Sequence, residues 1–511
     1  MKKYLAIDIG TTNWKAAVFD TEGNLLAIER CPTKTHVNEL GHSFYDPNEL
    51  WMEVTKLTKL VTAKVGGGIN ALSVTSMAES VVGIDENHQP VGDIIAWFDN
   101  RSMQQAEFLK EKFTTKTLYS ITGLDVNPIF SLPKILWLRE NQPDVYKKSK
   151  KWLQMADYIL FKFTGEYVTD YTLASRTLAF DVLQNVWSRE ILDAVDVDVN
   201  TFPTITESAT VIGTIDEKTA KETGIDVGVK VVVGGNDHPC ASIVAGAVDG
   251  NKILDSSGTA ESYIYISNKH EQPVMEFKGQ RLCRYLQKDR YASWGGIICA
   301  GRSFDWAYEA FTSSKVFDIP QDSYTYEHVL ASIKDTEAMN TGLMFYPHLR
   351  GAGAPYWNPK ISGGFVGVRD QHTGKHMLKA VIEGLSMQAR MIVEMQQAVS
   401  GQDIQTLCVV GGGSKNTLWQ QTKATIVQKP VQISDESEAT ALGAAMLAAI
   451  GDKAYSGIEE VSGLLSKKNR ILLPDESQKD KVDEFYALYK KGYEAQQELN
   501  EQIFKAVKKW H

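Results

Sequence analysis

The sequence predicts an α/β protein built of two domains of one topology that share a cleft. Three observations lead there. Short runs of β-branched and apolar residues end repeatedly in small or acidic residues, as strands do when their carboxyl ends open onto a ligand. One such unit, an apolar strand, a turn containing Gly-Thr and a second strand, occurs at residues 3–19 and again at residues 251–266. A length of 511 residues also exceeds one core, at the usual ~150 residues per domain.

Composition narrows the class. With 43% hydrophobic and 23% charged residues, the chain is an ordinary folded one. Lys+Arg 54 against Asp+Glu 63 leave a net charge of −9, which argues against a nucleic-acid binder. The dense basic run Lys147, Lys148, Lys150 and Lys151 reads as a solvated turn between helices. Five cysteines without a CxxC pair fit a reduced cytoplasmic setting, with neither disulfide framework nor zinc site. Asp8 and Gly10 interrupt the N-terminal apolar stretch too early for a signal peptide, and no apolar run nears the ~20 residues of a membrane helix. A cytoplasmic protein is expected.

In chain order, residues 3–9 form a strand ending at Asp8, Gly10, Thr11 and Thr12, and residues 14–19 return as its partner. Such a turn offers N–H groups and hydroxyls to a phosphate, and Asp8 is placed to hold a hydrated Mg2+; an ordinary hairpin turn is the competing reading. Residues 71–75 lead as a strand to Glu79, and residues 94–97 lead to Asp99 and Arg101. Glu79, Asp99 and Arg101 are candidates to hold a polar substrate, with Trp97 as an apolar wall and surface salt bridges as the alternative. Residues 152–163 carry Leu153, Ala156, Ile159, Leu160 and Phe163 at helical spacing and are expected as one helix.

The centre of the chain is Gly234, Gly235, Asn236, Asp237 and His238. The run at residues 229–233 reads as a buried strand, after which the two glycines are expected to turn the backbone sharply. Asp237 then stands at a strand's carboxyl end, within reach of a substrate hydroxyl, and is the candidate catalytic base. A tight turn with Asp237 capping the next helix is the plainer alternative. His238 is expected to touch substrate or to orient Asp237, with a structural histidine as the other reading.

In the second half, Gly258 and Thr259 repeat the first turn. Gly411, Gly412 and Gly413 lie between a strand at residues 406–410 and a helix at residues 416–427, a turn that admits a flat ring or a phosphate against the backbone. It lacks a Walker ending. Residues 438–445 read as the start of a helix whose small side chains allow close packing. His372 and His376 are four apart but lack a third ligand, so they read as surface or capping residues. Val482, Phe485, Tyr489, Tyr493, Leu499, Ile503 and Val507 form the apolar stripe of a long helix expected to dock on the body.

Taken in this order, these stretches resemble the FGGY carbohydrate kinases, of the actin/hexokinase-like ATPase superfamily. The resemblance covers essentially the whole chain. Its strongest part is residues 363–383, GGFVGVRDQHTGKHMLKAVIE, which fits the family's second signature. Ala354, Pro355, Tyr356 and Trp357 upstream are similar to glycerol kinases, and Ser131, Lys134, Trp137 and Leu138 match most of the first signature. The resemblance implies two actin-like (ribonuclease H-like) α/β domains, 1–246 and 247–511, flanking a catalytic cleft. It implies ATP and Mg2+ as cofactors, with Asp8, Gly10, Thr11 and Thr12 as the first phosphate loop and Gly258 and Thr259 as the second. Gly411, Gly412, Gly413 and Asn416 match the adenosine segment, and Asp237 matches the base. Glu79, Trp97, Asp99 and Arg101 match positions around the sugar or polyol. The partners implied are that small molecule and ATP, with no nucleic acid or membrane, and a homodimer is left open.

The chain departs from its relatives where substrate is chosen. Glycerol kinases carry an Arg before the position of Glu79, a Tyr at Ile129 and a Phe at Ser262, whereas this chain has Ala78 at the first. Xylulose kinases carry Met-His at Ala78 and Glu79. Losing a cation and keeping Glu79 suits a neutral, hydroxyl-rich substrate over an anionic acid such as gluconate. The expected activity is ATP-dependent phosphorylation of a neutral sugar or polyol. The alternatives are a xylulose-type ketopentose kinase, an inactive sugar sensor, and a chaperone-like or filament-forming ATPase of the same superfamily.

Overall fold

The computed structural model describes residues 1–267, 277–312 and 325–508. Six strands make the first sheet: β1 (Lys3–Ile9), β2 (Asn13–Asp20), β3 (Leu25–Pro32), β4 (Ala71–Ser76), β5 (Val211–Thr214) and β6 (Lys230–Asn236). Their spatial order is β5-β6-β4-β1-β2-β3. β1, β2 and β3 form an antiparallel meander, β4 runs parallel to β1, β6 runs parallel to β4, and β5 closes the edge antiparallel.

The second sheet repeats this plan. Its strands are β7 (Lys252–Ser257), β8 (Glu261–Ser267), β9 (Arg281–Arg284), β10 (Tyr291–Ile297), β11 (Thr406–Val410), β12 (Val431–Ile433) and β13 (Arg470–Leu472). They lie in the order β9-β10-β8-β7-β11-β12-β13. β7, β8 and β10 correspond to the first meander, β11 and β12 follow in parallel, and β13 is the antiparallel edge. The faint repeat of the sequence is therefore a repeat of topology, the ribonuclease H-like one.

Alternation along the strands divides the core. Leu5, Ile7 and Ile9 of β1 pack in one cluster with Leu50, Val54 and Leu72, while Tyr4 and Ala6 turn to a second cluster that holds Cys240 together with Leu254 and Leu442 from the other half of the chain. In β7, Ile253 faces a third cluster with Leu385 and Leu407, and Leu254 faces the shared one. Asp8 continues the Tyr4 and Ala6 face, so alternation alone aims it between the halves.

The helices α1 (Met155–Thr164), α2 (Asp237–Ala245), α3 (Gly374–Ser400), α4 (Thr417–Val427), α5 (Ala439–Gly451) and α6 (Lys479–Lys508) position the rest. α5 comes from the second half but packs on β1, β4 and β6 of the first sheet and on α2, which in turn meets β7 and β11. Its small residues make this contact close: a Cβ on Gly443 would stand 2.0 Å from the carbonyl oxygen of Cys240. Lys2 and Lys230 also donate to Asp452, just past α5, at 2.7 and 2.6 Å.

Several local expectations change. Residues 152–163 are not one helix: Lys151–Gln154 is a strand paired with Val81–Ile84, and α1 starts only at Met155 behind a capping box of Gln154 and Asp157. Strand pairing overrides the helical spacing. The basic run ends the helix Pro143–Lys148 and enters that same strand, so it lies between a helix and a strand. Gly234 and Gly235 do not turn the chain either. They lie within β6, where the register to β4 shifts, and a Cβ on Gly234 would meet the Val74 carbonyl oxygen at 2.0 Å. In α6, Val482, Tyr486, Tyr489 and Tyr493 are buried, whereas Leu499, Ile503 and Val507 are exposed, so only the first half of the stripe docks.

Candidate active site

A cavity of about 470 Å³ opens between the two halves. The β1–β2 and β7–β8 turns both reach it, with Thr11 and Ala260 in its lining. In the first turn Gly10 donates to the Asn13 carbonyl at 3.1 Å, and Thr33 Oγ1 donates to the Gly10 carbonyl at 2.7 Å. Thr11 and Thr12 are left exposed at the tip. The second turn is tied from behind: Gly301 donates to the Gly258 carbonyl at 3.0 Å and Ala300 to that of Thr259 at 2.9 Å. Gly258 and Thr259 are likewise exposed.

Residues 411–416 lie against this second turn. Gly411 is left-handed (φ 90), and a Cβ there would meet the Ser257 carbonyl oxygen at 2.5 Å; on Gly413 it would meet Ser257 Oγ at 2.1 Å. Of the three glycines only Gly412 has open space beside it, with nothing within 4 Å of where a Cβ would stand. Asn416 is buried, and its Oδ1 accepts from Trp419 N at 3.0 Å, capping α4. Its Nδ2 donates to the Tyr326 hydroxyl at 3.4 Å.

Asp237 is the first residue of α2, directly after β6, with no loop between. Its side chain is 25% exposed and lines the cavity, and Oδ1 accepts from the His238 amide at 2.8 Å. His238 also lines the cavity, edge-on to Trp294 with ring centres 5.5 Å apart. Asp8 is buried behind the first turn, 3.6 Å from Lys15 Nζ, which donates to Glu438 of the other half at 2.8 Å. Burial pushes the Asp8 carboxyl up to about 7; Lys15 opposes the rise, and Asp237 and Glu438 add to it.

The far end of the cavity is built around Glu79. Its backbone is left-handed (φ 68), a conformation that costs a non-glycine residue about 1–3 kcal/mol. Four groups hold it there. Gln154 Oε1 accepts from its amide at 2.7 Å, while Lys134 Nζ at 3.1 Å and Ser131 Oγ at 3.3 Å donate to its carbonyl. Arg176 donates through Nε to Oε1 at 2.7 Å, with Nη2 2.5 Å from the same oxygen. Lys134, from the helix Ser131–Asn141, is wholly buried and also donates to the carbonyls of Trp97 at 3.2 Å and Ile129 at 2.7 Å. Trp97 lines the cavity and donates from Nε1 to Thr11 Oγ1 at 3.2 Å, joining this end to the first turn.

Asp99 and Arg101 turn to each other instead. Arg101 Nε donates to Asp99 Oδ1 at 2.7 Å, and the Arg101 guanidinium lies over Trp137, 5.1 Å from its centre. Both are buried away from the cavity lining, where Asn100 between them stands. Two opposite charges two residues apart satisfy each other here. Sequence reasoning missed Arg176, Arg281, Trp294 and Asn127, all of which line the cavity. Arg281 donates from Nη2 to Asp125 at 3.0 Å, with its guanidinium 3.9 Å over Trp357. None of the four sits in a periodic run or a turn motif, so no local signal pointed to them; Trp357, by contrast, belongs to the stretch at residues 354–357 that resembles glycerol kinases. Ala78, Ile129 and Ser262, where glycerol kinases differ, all line the cavity.

Two sheets of the actin-like topology, with a hairpin turn from each and a strand-end carboxylate on one cleft, define an ATP-dependent phosphotransferase. The chain belongs to the FGGY family of carbohydrate kinases: the family's N-terminal domain matches residues 3–244 and its C-terminal domain residues 256–451. It is 29% identical over 505 residues to a xylulose kinase of Bacillus subtilis, covering 98% of each chain. It is 26% identical to a gluconokinase of Bacillus licheniformis, covering 93% of each. Its fold matches a ligand-bound xylulose kinase from Lactobacillus acidophilus with a TM-score of 0.89, at 24% identity over 97% of this chain and 98% of that one. The chain is thus a carbohydrate kinase that phosphorylates a sugar or polyol with ATP. Among the described residues no helix is long and apolar enough to cross a membrane.

Proposed function

We propose that Asp237 is the general base of a kinase that acts on a neutral sugar or polyol. The observation carrying this is the position of Asp237, at the start of α2 on the cavity that both Gly-Thr turns reach. A hydroxyl bound between Asp237 and Trp97 gives its proton to the carboxylate as its oxygen attacks the γ-phosphorus of ATP, and the bond from that phosphorus to the β–γ bridging oxygen breaks so that ADP leaves. Thr11, Thr12, Gly258 and Thr259 then donate to the phosphoryl oxygens from the two turns, and Gly412 offers its open face to adenosine.

Asp8, near enough to Asp237 for that charge to raise its carboxyl, is the residue that would hold Mg2+. Among the described residues no group of three or more His, Cys, Asp or Glu could hold a metal unaided. That suits an ion taking one or two carboxylates, waters and phosphate oxygens. When bound it neutralises charge on the phosphates. Asp8, raised by burial and by Asp237, is stabilised as a carboxylate by any such cation.

Charge in the cavity favours a neutral substrate, though not because Glu79 is free. Arg176 answers Glu79, Asp125 answers Arg281 and Lys423 answers Glu261, so Asp237 is the charge left over, and an acid such as gluconate would meet no unmatched cation. We place the domain division at 246/247, after α2, and the protein in the cytoplasm, in keeping with five free cysteines. The homodimer left open by the sequence is checked by light scattering.

The test is ADP release with MgATP across neutral ketoses, polyols, aldoses and sugar acids, beside Asp237→Asn. One neutral substrate should stand out, and the variant should stay folded and lose about 10²–10⁴-fold in kcat. A variant retaining a tenth of the activity removes Asp237 from this role, and gluconate as best substrate removes the neutral class.

A further inference from the structure

Among the described residues, Glu79 is the only carboxylate on the cavity gripped by a guanidinium through one oxygen alone. Arg176 places Nε and Nη2 on Oε1, whereas Oε2 has no protein donor and is not sealed from solvent, in a residue that lines the cavity. The guanidinium cannot swing aside. It is sandwiched between Trp294 and Phe130, 5.0 and 5.2 Å from their ring centres, and Arg176 is only 7% exposed. The carboxylate is as firmly fixed from the other side by the bonds to the Glu79 backbone.

We infer that Arg176 is a specificity-determining positioning residue, which holds Glu79 so that Oε2 accepts a hydrogen bond from one substrate hydroxyl away from the reacting one. The pair rests on the kinase reading given above and adds to it a requirement on the substrate. An ionised oxygen whose twin is already satisfied is an acceptor only, so it rewards a donated O–H and penalises its absence or an oxygen without hydrogen. Trp294 joins this end to the base, because the ring that packs on Arg176 also meets His238 edge-on. The substrate therefore presents at least two hydroxyls, one to Asp237 and one to Glu79, across the tryptophan-walled cavity.

The test compares the full-length wild type with Arg176→Met, Arg176→Lys and Glu79→Gln, on the best panel substrate and on its deoxy analogues, one hydroxyl removed at a time. Arg176→Met should lower kcat/KM for the parent about 10- to 100-fold, through the sugar KM, with the ATP KM within about twofold. On one deoxy analogue, the one lacking the hydroxyl read by Glu79, the same substitution should cost less than about threefold, because the contact is already gone. Arg176→Lys should recover part of the loss. Equal losses on every analogue, or an unchanged sugar KM, overturn the inference. Should Arg176→Met fail to fold, as seen by its thermal melt and ADP binding, Glu79→Gln carries the same expectation and the same refutation. A wild type active on its substrate with analogue-blind variants refutes the pair alone; a wild type silent on every sugar refutes the kinase reading, and this inference with it.

Discussion

The ammonium of Lys134 donates to the backbone carbonyl of Glu79 at 3.1 Å, and the same nitrogen holds the carbonyls of Trp97 and Ile129. One buried cation thus gathers three cavity-lining segments that are separate in sequence. The signature lysine is a fastener for this end of the cavity and keeps Glu79 in its left-handed conformation.

Lys134→Met should therefore destabilise the protein by about 3 kcal/mol or more, since three buried carbonyls lose a charged donor. Urea melts measure the loss. In a mildly destabilised background that still folds, the sugar KM should rise while the ATP KM stays put. A loss under about 1 kcal/mol would mean that water replaces the ammonium at no cost.

The same lysine sets a pH dependence. Burial lowers its pKa from 10.5 to about 7; Glu79 and Asp99 oppose the shift and Arg101 adds to it. Above about 7 the folded chain gives up a proton that the unfolded chain keeps, so this group's contribution to stability is full above 10.5 and is lost as pH falls to 7. Sugar binding should run the other way, since a neutral amine has two donors for three carbonyls. Sugar KM should increase from about pH 7 to about pH 9 in the wild type; a flat profile would show that the ammonium stays charged.

Lys423 is wholly buried between Asp255 Oδ2 at 2.5 Å and Glu261 Oε1 at 2.7 Å, and it joins α4 to the second turn hairpin. Lys423→Met leaves two carboxylates without their cation and should cost about 3–5 kcal/mol. Burial pushes the Asp255 carboxyl up, so acid should partly rescue the variant by protonating it. A variant equally unstable at about pH 5 and about pH 8 would contradict this.

Two glycines should behave oppositely. Gly234→Ala drives a methyl into the Val74 carbonyl and should cost about 3 kcal/mol. Gly412→Ala meets nothing within 4 Å and should leave stability within about 0.5 kcal/mol, while raising the ATP KM if adenosine lies there. An unchanged ATP KM would move the nucleotide away from Gly412.

The sequence by itself determined what short-range chemistry can encode. Strand alternation, Gly-Thr turns and a carboxylate after a buried strand are local features, and they placed β1, β2, β7, β8 and Asp237 correctly because each depends on residues a few positions apart. Tertiary structure alone decided which charges pair with each other. Asp99 and Arg101 looked like substrate ligands and instead satisfy each other, while Arg176, 97 residues from Glu79 in the chain, restores beside it a cation that Ala78 seemed to remove. It also decided the length of helices: Trp152 and Leu153 pair with β-strand residues 81–84 that no window around them contains. Pairing of buried charges and of strands is settled by which segments the fold brings together, and that information is spread over the whole chain rather than held in any stretch of it.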